Sequence, residues 1–266
     1  MYKTILFFIA ITSLSKHVTA NTTIFKTDSA KQMRYYTMDT IRVSAAKQFQ
    51  YRASSTKIND LLDTKLAVDF NWKQCRMNGK ATLLLKPHFY ATDSITIDAK
   101  GFNLNRVAFL NLQNDTIDVF YLYDSTQIKL KLPSLIQPNE TYKIYIDYVA
   151  KPNERRAKKG KAIANDKGLY FINADGKDAT KPKQVWTQGE PQAASCWFPT
   201  LDNPNQKSTS EIHICRPINF ISISNGEKKY STINDDSTET DVWIMNKPNA
   251  PYLFMMAVGN FSVSDN

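Results

Sequence analysis

The chain has 266 residues, a formal net charge of +9, 42% hydrophobic residues and 12% aromatic residues. That length and apolar content exclude a disordered or collagen-like chain and suffice for one large β domain or two small ones with a sizeable core. The charge invites a search for a nucleic-acid interface, but no RNA-binding motif with interleaved aromatics accompanies the basic residues.

In chain order, the first segment reads as a targeting signal, the alternative being an uncleaved anchor or a buried core segment. Lys3 makes a basic start, Ile5 to Leu14 is an apolar run too short to cross a bilayer as a helix, and Val18-Thr19-Ala20 reads as a cleavage site. The expectation is export to a periplasmic or extracellular compartment, with residues 1–20 removed. Removing Lys3 and Lys16 with it leaves 32 basic against 25 acidic residues, a net charge of +7. No later stretch approaches the ~20 apolar residues of a membrane span. Residues 21–60 are polar and weakly periodic and read as an extended arm, so the folded domain is expected over 61–266.

From Thr64 the pattern alternates with period two, with Leu66, Val68 and Phe70 on one side. A run from Ala81 to Leu85 follows, and Asn78-Gly79 is the turn signal between them. Further β-rich runs are Ser94–Asp98, Val107–Leu110, Ile117–Leu122, Ile128–Leu132 and Tyr142–Val149. In the last, Tyr142, Ile144, Ile146 and Tyr148 share one face. Lys151 to Asp166 breaks the rhythm with Arg155, Arg156, Lys158, Lys159 and Lys161, a solvated loop or an anionic-surface contact. Strand pattern resumes at Gly168–Ile172, Gln184–Thr187, Glu211–Arg216, Phe220–Ser224, Thr240–Met245 and Tyr252–Val263. Short strands at this spacing, with no apolar stripe of period 3.6 between them, predict an all-β fold of mostly antiparallel sheets, a sandwich or open barrel.

Chemistry-bearing residues are sparse. The histidines are His17, His88 and His213, and no two are spaced to grip zinc from one helical face. Neither a Gly-rich phosphate loop nor a Gly-x-Ser-x-Gly turn occurs. Cys75, Cys196 and Cys215 cannot all pair within the chain. Cys196 and Cys215 read either as a pair in an oxidising compartment or as buried thiols.

The segment from Val185 to Thr209, VWTQGEPQAASCWFPTLDNPNQKST, resembles the substrate-amine-binding element of the M1 family of zinc aminopeptidases. The GLYF run before it, TKLAVDFNW and GKATLLLKP upstream, and Ala250 to Phe261 downstream are similar to the same family in the same order. The resemblance covers Leu62 to Phe261 and implies the sandwich or saddle-like N-terminal domain of such an enzyme. It implies that Glu190 binds the free α-amino group at the N-terminus of a peptide substrate, since a carboxylate accepts strong charge-assisted hydrogen bonds from an ammonium. It implies that Gln188 helps shape the pocket for the first side chain; Asp202, Pro199 and Pro204 read as holding the turn that follows rather than touching substrate. The competing reading of Glu190 is a cap on the turn before Pro191.

Two positions depart from the family pattern: Thr200 stands where many relatives carry cysteine, and Gly189 is smaller than usual. The chain reaches Asn266 before any HExxH sequence. The resemblance therefore places the catalytic residues and the zinc in a C-terminal catalytic domain, the expected partner, and assigns no catalytic residue, metal ligand or cofactor to these 266 residues. The face around the motif is expected to expose apolar surface near Trp186, Trp197 and Phe198 toward that domain, the alternative being that both tryptophans are core residues. The alternative is a free-standing exported β-sandwich that binds a peptide or protein without catalysis.

Overall fold

A computed structural model describes residues 56–111, 115–154 and 166–262. The signal segment, all but the last few residues of the arm, and the basic cluster at 155–161 lie outside the described residues. Fifteen strands dominate: β1 (Asn59–Asn71), β2 (Arg76–Pro87), β3 (Thr92–Asp98), β4 (Phe102–Leu110), β5 (Thr116–Asp118), β6 (Tyr121–Tyr123), β7 (Gln127–Ile136), β8 (Tyr142–Ala150), β9 (Leu169–Ile172), β10 (Gln184–Thr187), β11 (Ser208–Pro217), β12 (Ile221–Ser224), β13 (Glu227–Ile233), β14 (Thr238–Asn249) and β15 (Met256–Gly259). The helical elements among the described residues are three-residue 3-10 turns, and no described helix is long and apolar enough to cross a membrane.

The strands form an eight-stranded sheet in the order β13-β14-β11-β1-β2-β8-β4-β5, a four-stranded sheet β12-β15-β10-β9 and a three-stranded sheet β3-β7-β6. All pairings are antiparallel except β1 with β11, which run parallel. The all-β, mostly antiparallel architecture expected from the alternation is what forms. One buried cluster runs through all three sheets, joining Leu66, Leu83 and Ile144 of the large sheet to Ile97 and Ile128 of the three-stranded sheet and Val185 and Val258 of the four-stranded one. Strand β8 shows how alternation builds it: Tyr142, Ile144, Ile146 and Tyr148 are buried while Lys143, Tyr145, Asp147 and Val149 are only partly so.

Several details differ from the pattern reading. Asn78-Gly79 is not a turn; both residues lie within β2, Gly79 opposite Val68 of β1 and Tyr148 of β8. The turn is Trp72–Cys75, where the Asn71 side chain accepts the Gln74 N–H at 3.0 Å. Gly79 serves packing instead. A Cβ there would stand 2.3 Å from Cζ of Tyr148, so the missing side chain makes room for that ring. The run Ile117–Leu122 divides into β5 and β6, which belong to different sheets. Residues Asn59 and Asp60 of the expected arm already belong to β1. Strand β13 gave no alternation because every residue in it is exposed; it is the edge of the large sheet and carries Lys228 and Lys229, charges that discourage edge-to-edge pairing.

Two polar ties lock the sheets together. The wholly buried Asp241 of β14 accepts hydrogen bonds from Arg216 Nε at 2.6 Å, Ser222 Oγ at 2.6 Å and Ser231 Oγ at 2.6 Å, joining four strands from two sheets. Burial alone would raise its carboxyl, but these donors hold it below its ordinary value. The Tyr148 hydroxyl, also buried, donates to the Trp197 carbonyl at 2.9 Å and so fastens the segment after β10 to the large sheet.

Substitution at this contact should be costly. Gly79→Ala drives a methyl group into the Tyr148 ring, and overpacking of this kind costs about 1–3 kcal/mol. Tyr148→Phe leaves the Trp197 carbonyl without its donor, at about 1–3 kcal/mol. Urea denaturation of both variants checks this; a Gly79→Ala midpoint equal to that of the native chain would show that the ring moves aside freely.

Candidate functional site

Strand β10 lies between β9 and β15 and delivers the motif to the end of the four-stranded sheet. Thr187 turns inward, and its Oγ1 accepts the Met256 N–H at 2.9 Å. The Gln188 N–H donates to the Gly168 carbonyl at 2.9 Å, carrying the β9 contact one residue past the strand. Gly189 is buried, and a Cβ on it would lie 2.4 Å from the Tyr252 carbonyl oxygen. The small residue at this position is therefore a fit to the Tyr252 backbone, and the departure from the usual family residue has a packing cause.

After Gly189 the chain leaves the sheet. The Glu190–Pro191 peptide is cis, and the Ala193 N–H donates to the Gly189 carbonyl at 2.7 Å, closing the turn through main chain. Glu190, Pro191 and Gln192 are exposed. Main chain rather than the Glu190 carboxylate thus closes the turn, and that carboxylate takes part in none of the hydrogen bonds or ion pairs of the described residues. Gln188 is half-buried and lies on the same outward face as Trp186, two residues before it.

The following segment is packed inward. A 3-10 turn over Ala194–Cys196 directs Trp197 and Phe198 into the core, where both are wholly buried. Their rings stand 4.4 Å apart, and Phe198 stacks on Phe254 at 5.2 Å. The expectation that they line an exposed face is overturned, because this turn reverses the chain beneath the sheet. Trp186 alone of the three reaches the surface, half-buried and stacked on Tyr170 with centroids 4.6 Å apart. It belongs to a register row across the four-stranded sheet, Tyr170–Trp186–Ala257–Ile223, all facing outward. Ile223 is 45% exposed, so this apolar face runs beside Gln188.

Asp202, four residues beyond Phe198, does hold the turn. It is buried, and one of its oxygens accepts the Ser195 N–H at 3.0 Å and the Ser195 hydroxyl at 2.6 Å. Lys100 Nζ lies 3.9 Å from the same oxygen. Burial raises its carboxyl from the ordinary value, against the Ser195 hydrogen bonds and Lys100, which lower it. Sequence reading missed the residues that meet it. Asp98, the last residue of β3, and Lys100, in the turn after it, lie about a hundred residues earlier, and no local pattern marks their part in this contact.

The remaining candidates lie elsewhere. His88 Nδ1 is 2.8 Å from Asp60 Oδ2, and His213 is hydrogen-bonded to Glu211. Among the described residues no three His, Cys, Asp or Glu side chains are grouped to hold a metal. Cys75, Cys196 and Cys215 form no disulfide; Cys196 is buried beside the Asp166 carbonyl and Cys215 sits near Thr238, so the pairing of Cys196 with Cys215 is not made. A groove of about 600 Å³ on the outer face of the large sheet, between Asp69, Lys80, Asp147 and His213, contains neither Gln188 nor Glu190.

Fold and motif together define an N-terminal β domain of the kind found in zinc metallopeptidases. An M1 zinc metallopeptidase from Deinococcus radiodurans superimposes with a TM-score of 0.63 at 16% identity, covering 76% of this chain and 42% of that one. A two-domain M1 zinc metallopeptidase bound to L-arginine gives 0.64 at 15% identity, covering 77% and 43%. Mouse glutamyl aminopeptidase is 34% identical over 76 residues, 29% of this chain and 8% of its own length. The chain belongs to the peptidase M1 N-terminal domain family, whose model matches residues 51–253. It spans less than half the length of these solved relatives.

The buried Asp202 makes a pH-dependent prediction. A carboxyl with a raised value in the fold contributes stability that is fully present below its ordinary range and lost as pH rises through the raised value. Asp202→Asn does not titrate, so the stability advantage of the native chain over this variant should shrink as pH rises above the ordinary aspartate value of about 4. Urea denaturation across that rise checks it; a constant difference would show that Asp202 titrates at its ordinary value.

Proposed function

We propose that this domain supplies the amine-recognising wall of an exported M1 zinc aminopeptidase, with Glu190 as the anchor for the substrate's α-ammonium and Gln188 beside the first side chain. The observation that carries this is the Glu190 carboxylate. It stands exposed on a turn closed by main chain, at the end of a central strand, without a counter-charge among the described residues. An ammonium supplies that counter-charge, and only a chain end or a free amino acid carries an α-ammonium. The solved relatives include forms with a Tyr-Ser-Ala substrate, with L-arginine and with L-tryptophan, and each free amino acid among these presents that group.

The metal and the water-activating groups belong to a catalytic domain that packs on this one. The outward apolar row of Tyr170, Trp186 and Ile223 beside Gln188 suits such a contact, because a contiguous apolar face of this kind seeks a partner. Export is supported by the basic start, apolar run and cleavage signature of residues 1–20. In this reading the domain performs no hydrolysis by itself. It selects substrates with a free amino terminus and places the first peptide bond at a constant distance from Glu190, so that one residue is removed at a time.

The test joins this domain to its catalytic domain and compares substrates. A hydrogen bond to a charged group is worth about 1.5–3 kcal/mol, so Glu190→Ala should lower kcat/KM for free-amine substrates by roughly 10- to 150-fold. Glu190→Gln should lose less, because the amide oxygen still accepts a hydrogen bond. N-acetylated substrates should be slow throughout and barely affected, with metal content unchanged. Equal rates for Glu190→Ala and the native enzyme on free-amine substrates would remove the anchor role.

A further inference from the structure

We propose that Lys100 is the positioning residue for Glu190. Its ammonium, reaching from the turn between β3 and β4, fixes the Gln192 carbonyl and with it the exposed turn from which Glu190 projects. The inference rests on the amine-anchor reading and adds the part of the fold that makes the anchor rigid.

The segment Glu190-Pro191-Gln192 is exposed at all three residues. Proline has no N–H to donate. On the side of β10 the segment is held where Gly189 packs against the Tyr252 backbone. On the other side it is held at Gln192. There the Lys100 ammonium donates to the Gln192 carbonyl, and the Gln192 side-chain amide donates to the Asp202 carbonyl at 3.2 Å. Lys100 also donates its main-chain N–H to the Ser195 carbonyl at 2.7 Å. One residue thus grips the loop at two points, three residues apart.

The lysine is well placed to be stiff. Its side chain is 25% exposed, and its ammonium lies between the Gln192 carbonyl and the Asp202 carboxylate. That carboxylate is engaged by Ser195 on the same oxygen, so Asp202 serves as a fixed negative charge that keeps the ammonium in place. The base of the clamp is itself tied down. Ala99 and Gly101, flanking Lys100, donate their N–H groups to Thr126 and Ser125 at 2.8 Å each. Gly101 has φ 76, a left-handed conformation that favours glycine. Asp98 pairs with Thr200 through two main-chain hydrogen bonds, and its carboxylate accepts the Asp202 N–H at 2.9 Å. The three-stranded sheet therefore reaches across the domain to hold a turn that begins in the four-stranded sheet. An anchor that must meet an ammonium within hydrogen-bond distance gains from such support, because small misplacements of a positioning group weaken it sharply.

Two measurements decide the matter. In the chain itself, amide hydrogen exchange is followed for Lys100→Met, which keeps the aliphatic stem. The Ala193 amide, which closes the turn, should exchange on the order of 10-fold faster, while the Leu83 amide in the middle of β2 stays unchanged. Equal acceleration of both amides, or of neither, would overturn the proposal, since Lys100 would then act on global stability or not hold the turn. In the two-domain enzyme, aminoacyl p-nitroanilides with free or acetylated amino groups are compared. Lys100→Met should reduce kcat/KM for the free-amine substrates on the order of 10-fold, mainly through KM, and Lys100→Arg should recover most of the loss. In a Glu190→Ala background Lys100→Met should cost nothing more. The same loss in both backgrounds would overturn the role of Lys100 as acting through Glu190. If Glu190→Ala alone leaves free-amine substrates unaffected, the anchor reading fails and the link to Glu190 falls with it, while the exchange result still reports separately whether Lys100 holds the turn.

Discussion

The Tyr148 ring lying over Gly79, with its hydroxyl on the Trp197 carbonyl, is the contact on which the rest depends. It places a buried polar group from the centre of the large sheet against the backbone of the segment that follows the motif. Without room over Gly79 the ring could not lie flat along the sheet, and the hydroxyl would not reach Trp197. With it, Trp197 and Phe198 are drawn into the core, and Phe198 stacks on Phe254 just before β15. The two central strands of the four-stranded sheet, β10 and β15, are thereby referred to one buried anchor, and Thr187, Gln188 and Glu190 emerge from a fixed origin.

Around that anchor, polar chemistry handles what apolar packing cannot. The loop from Gln192 to Asp202 is irregular and largely buried, so its backbone groups need partners other than a ladder. They find them at the end of β3 and in the turn after it: Asp98 bonds Thr200 and Asp202, Lys100 bonds Gln192 and Ser195, and Asp202 returns to Ser195. The carboxylate of Asp202 is costly to bury and is kept by three donors nearby. Glu190 differs in kind. It lies in solvent, outside this network, and its charge is uncommitted. The contrast between a satisfied buried carboxylate and an unpartnered exposed one, twelve residues apart, separates the residue that holds the loop from the residue available to a ligand.

The four-stranded sheet then has two unlike faces. Val185, Thr187, Met256 and Val258 point into the core, while Tyr170, Trp186, Ala257 and Ile223 point away from it. Alternation with period two puts these two sets of side chains on opposite faces of the sheet. The inner face meets the large sheet. The outer one lies beside Gln188, which suits a second domain brought against the site.

Period-two alternation in the sequence was enough to establish an all-β domain, the inward face of β8 and the position of most strands, since alternation is a local property. The motif and its neighbours were enough to reveal the family and to single out Gln188 and Glu190. What alternation could not show was decided by residues distant in the chain. Asn78-Gly79 has the composition of a turn, yet the Tyr148 ring requires that glycine inside a strand. Trp197 and Phe198 look like surface aromatics beside a binding motif, yet Tyr148 and the 3-10 turn before them bury both. Strand β13 is exposed on every residue and so carries no pattern at all. Lys100 and Asp98 have no local signature, because their partners lie about a hundred residues further on and only the closing of three sheets around one core brings them together. The sequence by itself determined which segments extend and which carboxylate is a candidate anchor; the tertiary structure decided what ties down the loop that follows it, because hydrogen bonds to irregular backbone are made across the fold and leave no periodic trace along the chain.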